Sequence, residues 1–415
     1  LQFLFLADAF AQAPADGETS FTFAGHSKFQ LIQLTFPGDS AFRDVLGASA
    51  TDLNAEARLK WQGRKGHWEF QADYQFIAVD NDTLKLTNQL SGVALPLNNV
   101  ISDDRRWWDL TYTVEGSGKT AFINRLDRLS VGYSTERSVI RFGRQAISWG
   151  NGLLFNPVDV FNPFDPAAVD KEYKAGDDML YGQYLLGNGN DLQGVAIVRR
   201  NPVSGDVEAD QSSFAVKYHG FLGLTEYDFL AAEHYGDPLF AAGVSLPAGG
   251  AVVRGDLSWN QTGTRDVISA VANISYSWMW GGKNVSGLLE YYYGGFGQKH
   301  SDYSPQALLE NPDLLERISR GELFTLGRQY LGASALIEMT PLFLFTSSFF
   351  VNLQDPSMLA QFVFQYDWKQ DLVLLGSLNL PVGPNGSEYG GIDTTVPGRY
   401  LSRGPSLFAQ LAWYF

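Results

Sequence analysis

Cysteine is absent from the 415 residues, so the chain has no disulfide framework, no thiolate metal site and no covalent haem attachment. Histidine is scarce: His26, His67, His219, His234 and His300 are the only five, and none forms a metal pair at helical spacing. No Gly-x-Ser-x-Gly elbow occurs. No catalytic residue, metal or cofactor is therefore expected. Long apolar runs are missing too, and none approaches the roughly 18 residues of a membrane helix. Charged residues make up only 18%, fewer than a soluble protein usually carries. Their balance of −15 lacks the basic face that a nucleic-acid partner needs. Such acidity suits a surface among anionic lipids bridged by divalent cations.

Aromatic residues and glycine fill the gap, at 14% and 43 residues. Mean hydropathy is nevertheless −0.12. Low charge without net hydrophobicity is what alternating strands produce, because each polar face cancels an apolar one in the average. Trp68, Phe70, Ala72, Tyr74 and Phe76 share one face against Glu69, Gln71, Asp73 and Gln75. Phe362, Phe364, Tyr366 and Trp368 likewise oppose Gln361, Gln365 and Asp367. Aromatics gather near strand ends, as in the girdles of a membrane barrel. A soluble sandwich would need no such girdles.

The last strand carries the strongest form of this pattern. Leu407, Ala409, Leu411, Trp413 and the final Phe415 lie on one face, an aromatic edge that would aggregate if left unpaired in water. Closing onto the first strand removes that edge and turns the face to lipid. This ending resembles the C-terminal strand of bacterial outer-membrane β-barrels. The resemblance implies that Leu411, Trp413 and Phe415 form a signal for the barrel-assembly machinery. Counting alternating runs yields 19 candidates, one too many for the even number that bacterial single-chain barrels have. The expected fold is therefore an all-β, antiparallel transmembrane barrel of about 18 strands, with 16 as the alternative. Its long connections, near 79–106, 145–177, 295–321 and 382–404, share one side only if the surplus run lies among 107–115, 121–134 and 137–145. Residues 305–320 suggest a short helix with Asn311 as N-cap and Pro312 in first position. Residues 1–15 read either as a signal remnant cleaved after Ala15 or as an ordered apolar segment in or beside the barrel. Residues 16–415 read as one barrel.

The stretch after Arg141 is the most individual. It contains Gly143-Arg144-Gln145 and then a tandem hexapeptide, Phe155-Asn-Pro-Val-Asp-Val160 and Phe161-Asn-Pro-Phe-Asp-Pro166. Asn-Pro and Asp-Pro pairs start turns and allow a segment to pack on itself. The Gly-Arg-Gln motif with its following loop resembles a broad group of outer-membrane channels that includes alginate-export porins and uncharacterised barrels. Trp149, Leu153, Leu154, Phe155, Phe161 and Phe164 need something to bury against, so residues 145–177 are expected to fold into the lumen. That reading puts Arg141, Arg144, Asp159, Asp165, Asp170 and Glu172 at a constriction. Strand parity adds Arg58, Lys60, Arg128, Arg254 and Glu290 to the lumen wall. The carboxylates of the loop do not match a twelve-residue calcium loop.

The function these features suggest is a porin-like channel in a bacterial outer membrane, passing a polar or charged solute through a wet, charged lumen. Outer-membrane lipids and the assembly machinery are its expected partners, and nucleic acid is not. A scaffold barrel that sheathes or docks another protein is the alternative. A hydrolase built from a Ser–His pair on separate strands at the rim ranks below it.

Overall fold

The computed structural model describes residues 19–89, 101–115 and 118–415, so the N-terminal segment 1–15 lies outside the described residues. The first strands are β1 (Thr19–Thr35), β2 (Ser49–Lys65), β3 (Trp68–Asn81), the short β4 (Thr111–Glu115), β5 (Thr120–Ser134) and β6 (Ser138–Gln145). Next come β7 (Asp177–Leu185), β8 (Asp191–Ile197), β9 (Ser213–Leu222), β10 (Thr225–His234), β11 (Asp237–Ala248) and β12 (Ala251–Gln261). Then follow β13 (Asp266–Trp280), β14 (Lys283–Tyr293), β15 (Gln329–Thr340), β16 (Phe343–Asn352), β17 (Ser357–Lys369) and β18 (Leu372–Val382). A two-residue pair, β19 (Ile392–Asp393) and β20 (Tyr400–Leu401), precedes the last strand, β21 (Ser406–Tyr414).

Eighteen of these strands close an antiparallel barrel. β21 lies between β18 and β1, with His26 opposite Tyr414 and Ile32 opposite Phe408. No edge is left on the aromatic last strand. The surplus run is β4. β5 has 15 residues and β6 only eight, so Leu129–Ser134 pairs with β6 while the upper half of β5 would present a bare edge. β4 covers that edge, Thr111 opposite Arg125 through Glu115 opposite Ala121, without adding a stave.

With β4 set aside, eight connections of two to five residues lie on the side that holds the start of β1 and the end of β21. All four long connections lie on the other side. Outward side chains are apolar and exposed, among them Phe29, Leu31, Phe70 and Ile140. Trp68, Trp278, Trp280, Trp368 and Trp413 form an exposed aromatic belt near the short turns. Residues 305–320 fold as two helices, Pro305–Leu309 and Pro312–Ser319. Asn311 is the N-cap of the second, but its side chain makes no capping bond. Its amide instead donates to the Phe296 carbonyl at 2.9 Å and its oxygen accepts from Arg265 at 3.0 Å.

Candidate functional site

Residues 146–176, between β6 and β7, pack on themselves through their own polar side chains. Asn156 Oδ1 accepts from the amides of Val158 (3.2 Å) and Asp159 (3.1 Å), and its Nδ2 donates to the Trp149 carbonyl at 2.9 Å. The second repeat closes differently. Asn162 adopts a left-handed φ of 55°, and Asp165 accepts from the Ala167 amide at 2.8 Å. A Cβ on Gly152 would meet the Phe155 carbonyl at 1.9 Å, so only glycine permits that crossing. Lys174 staples the start of the segment to its end, reaching Asp159 at 2.5 Å and the Ile147 carbonyl at 2.6 Å. Burial pulls the Lys174 ammonium below its ordinary value, and Asp159 offsets only part of that.

The segment crosses the barrel interior and is held at both walls. On one wall, Glu290 of β14 is fully buried and accepts three backbone amides: Leu153 at 2.7 Å, Leu154 at 3.0 Å and Phe155 at 2.7 Å. Asp256 of β12 accepts from the amide and side chain of Asn151 at 2.5 and 2.7 Å. Asn273 of β13 bridges the Asn151 carbonyl (3.0 Å) and Glu290 (3.1 Å). The Phe155 ring stacks on Tyr292 at 5.0 Å and meets Tyr330 and Phe350 at 5.4 and 6.1 Å. Trp149 and Phe161 enter a second apolar cluster with Met179, Val195, Leu230 and Leu239. Gln361 of β17 donates to the Ala167 carbonyl at 2.7 Å.

On the opposite wall the roles reverse. Lys28 of β1 reaches Asp170 at 2.6 Å and Glu172 at 2.8 Å. Tyr414 of β21 donates to Glu172 at 2.8 Å. Burial alone would raise the Glu172 carboxyl, but Lys28 and the hydrogen bonds to it hold it below its ordinary value. The Tyr173 ring stacks on His26 at 5.2 Å and sits 4.2 Å from the Arg58 guanidinium and 4.9 Å from the Lys60 ammonium. Behind it, a β-bulge turns two successive residues of β5 inward. Asp73 faces Arg128 and Tyr74 faces Leu126, which leaves Asp127 as the extra residue. Asp127 then binds Arg58 at 2.7 Å, Arg128 at 2.8 Å and Arg125 at 3.1 Å.

The sequence-derived candidates therefore separate into groups. Arg58, Lys60, Arg128, Asp170 and Glu172 lie where the loop touches one wall, and Glu290 lies where it touches the other. Asp159 is enclosed within the loop by Lys174 and Ser148. Arg254 donates to Ser275 at 3.0 Å, apart from the loop anchors. Arg141 joins Glu69 near the short-turn end of the barrel. Arg144 needs a correction. It has no exposed surface and is sealed in the rim by Asp178 (2.9 Å), Asp103 (2.7 Å) and the Trp108 carbonyl (2.6 Å). The Trp108 ring packs edge-on against the exposed Phe142. A side chain buried as Arg144 is cannot line a wet lumen.

Asp165 is solvent-accessible although protein surrounds it, and so are Lys171 and Arg403. Burial moves all three toward neutrality: the Asp165 carboxyl upward, and Lys171 and Arg403 downward. Sequence reasoning missed Lys28, Asp127, Tyr173, Lys171 and Arg403. Lys28 was open to discovery, since it alternates with the outward Phe29 and Leu31. Asp127 was hidden by its bulge, and Arg403 lies in a connection without periodicity.

No protein-family model matches the chain, and no curated protein matches it either. Solved structures do. Acinetobacter baumannii OccAB4 superposes with a TM-score of 0.54 at 8% identity, over 96% of this chain and 98% of that one. Pseudomonas aeruginosa OccK2 (OpdF), solved in complex with glucuronate, gives 0.52 at 9% identity, over 95% and 98%. A BenF-like porin from Pseudomonas fluorescens Pf-5 gives 0.51 at 9% identity, over 96% and 98%. The chain has the fold of these outer-membrane porins along almost its whole length.

Proposed function

We propose that the chain is a channel of a bacterial outer membrane through which a polar or charged solute diffuses, and not an enzyme. The observation that carries this reading is the segment 146–176, which spans the interior and is tied to opposite walls. Eighteen staves enclose more room than side chains alone fill, so a folded segment narrows the passage without sealing it. Asp165, Lys171 and Arg403 border the remaining water, and their mixed signs favour a polar solute over a purely apolar one. The outward Leu411, Trp413 and Phe415 face lipid and present the assembly signal.

The test is a planar-bilayer recording. Deleting Asn156 to Ala168 raises single-channel conductance while the barrel keeps its fast migration on unboiled gels. The deletion removes Asp165 and also Asp159, which leaves Lys174 without its partner, so selectivity shifts away from cations. Unchanged conductance would put the segment outside the conduction path. Deleting Trp413 to Phe415 lowers the amount of inserted protein, leaving the conductance of each inserted barrel unchanged. Normal insertion would remove the assembly role.

A further inference from the structure

Just past the end of β8, on the long-loop side, two stretches of chain meet at the rim. Arg106 and Arg199 form an antiparallel bridge there, and the Arg200 amide donates to the Arg105 carbonyl at 3.0 Å. Residues opposite one another in such a bridge send their side chains to the same side. Arg106 and Arg199 point inward, since both reach Asp177, at 3.9 and 2.7 Å. Alternation then sends Arg105 and Arg200 outward, side by side. Val207, bridged to Arg200, shares that face and is 48% exposed. The Trp107 ring meets the outward Phe142 ring at 6.2 Å. Phe142 and Leu180 are paired on β6 and β7, and both are exposed on the lipid-facing wall beneath the two arginines.

Like charges directly opposite one another repel, and here no protein anion stands between them. Arg105 makes no hydrogen bond and no ion pair among the described residues. Arg200 gives Nε to the Trp107 carbonyl at 3.0 Å and Nη1 to the Gly205 carbonyl at 2.8 Å. Those bonds fix its plane and leave Nη2 without an acceptor among the described residues. Neither arginine pairs with Asp104, Asp109 or any other described carboxylate. Both are only half-buried, so their donors are open to a ligand. Two adjacent guanidiniums match a group that carries several anionic oxygens, such as a phosphate. Their height selects its source. The pair lies where the apolar wall gives way to polar loops, beside Trp107, a residue type that settles at the membrane–water interface. A phosphate free in water would gain nothing from the exposed Phe142, Leu180 and Val207, whereas acyl chains attached to it would lie along them. Resting on the outer-membrane reading above, we propose that Arg105 and Arg200 form a binding site for the phosphate of an acylated lipid in the outer leaflet.

The experiment is native mass spectrometry of the whole protein, released from a non-ionic detergent, which counts bound lipid directly. The probes are dipalmitoyl phosphatidic acid, dipalmitoylglycerol (the same chains without phosphate) and inorganic phosphate. Phosphatidic acid gives a saturable adduct, and dipalmitoylglycerol binds far more weakly. Arg105→Gln weakens the phosphatidic acid adduct about tenfold, the loss expected for one charge-assisted hydrogen bond. Because Arg105 holds no partner within the protein, that variant keeps its fast migration on unboiled gels. Lys369→Gln makes the same change of net charge at the exposed short-turn end of β17 and leaves the adduct unaltered. Equal binding of dipalmitoylglycerol overturns the proposal, as does a phosphatidic acid adduct indifferent to Arg105→Gln. Equal weakening by Lys369→Gln means diffuse attraction and overturns it too. Displacement of the lipid by an equal concentration of inorganic phosphate assigns the site to the free ion and overturns the lipid assignment. Membrane fractionation and wild-type conductance test the outer-membrane channel reading separately, so a conducting outer-membrane barrel that binds no phosphatidic acid fails only this inference.

Discussion

From Asn151 to Phe155 the internal segment offers backbone N–H groups to two carboxylates of the barrel wall, whereas from Asp170 to Tyr173 it offers its own carboxylates and a phenol ring to cations. The first anchor is dry. Glu290 is fully buried, and Phe155 closes over it with the rings of Tyr292, Tyr330 and Phe350. The second is wetter, with the Asp170 and Glu172 side chains 21% and 33% exposed. Charge-assisted hydrogen bonds out of water are worth about 1.5–3 kcal/mol each. Partly exposed ion pairs are worth about 1 kcal/mol or less and weaken with salt. The first anchor should therefore hold the segment in place at any salt concentration, and the second should tune its position.

The largest effect that would break this contrast is Glu290→Ala. Three buried amides lose their acceptor at about 1–3 kcal/mol each, so the segment detaches and single-channel conductance rises toward that of the deletion lacking Asn156 to Ala168. Conductance at the wild-type level would mean that the aromatic cluster suffices alone. A smaller change follows Lys28→Met, which frees Asp170 and Glu172. Its conductance differs from wild type in about 0.1 M salt, and the difference fades near 1 M, where screening acts within about 3 Å. A difference independent of salt would place that anchor in a dry environment after all.

The smallest effect is a pH dependence confined to the first anchor. Tyr330 touches Phe155 and also donates to Glu388 at 2.5 Å, while Asn352 and the Leu326 amide each donate to Glu388 at 2.7 Å. Burial, with the nearby Asp355 carboxylate adding to it, raises the Glu388 carboxyl to about 7, despite those bonds. A folded-state value above the unfolded one means stability present in full below about 4.5 and lost as pH rises through about 7. Hydrogen exchange at the Leu326 amide should thus be slower at about pH 5 than at about pH 8, after correction for intrinsic rates. Glu388→Gln should flatten that dependence. Protection that increases with pH would reverse the assignment.

How far the sequence could be read depended on periodicity. Strand faces were legible wherever residues alternate, as from Trp68 to Phe76, because a pleated strand sends neighbours to opposite sides. The surplus candidate could be narrowed to three runs by the sidedness of the long connections. Only the pairing of β4 with the upper half of β5 identified it. Arg144 was misplaced by reading it with the loop that follows, and parity failed at Asp127, where the bulge makes adjacent residues share a side. Arg141 kept its parity but lies near the short turns, since parity carries no information about depth.

The sequence by itself determined a closed, antiparallel, lipid-facing barrel with sided loops and an aromatic last strand, because those properties follow from local alternation and from the cost of bare edges. The tandem Asn-Pro hexapeptides also announced a segment that packs on itself. Only the tertiary structure decided which wall each half of that segment meets, and with what chemistry. Glu290 lies 137 residues from Leu153, and Lys28 lies 142 from Asp170. Barrel closure brings such pairs within 3 Å, and no local pattern in the chain encodes those meetings.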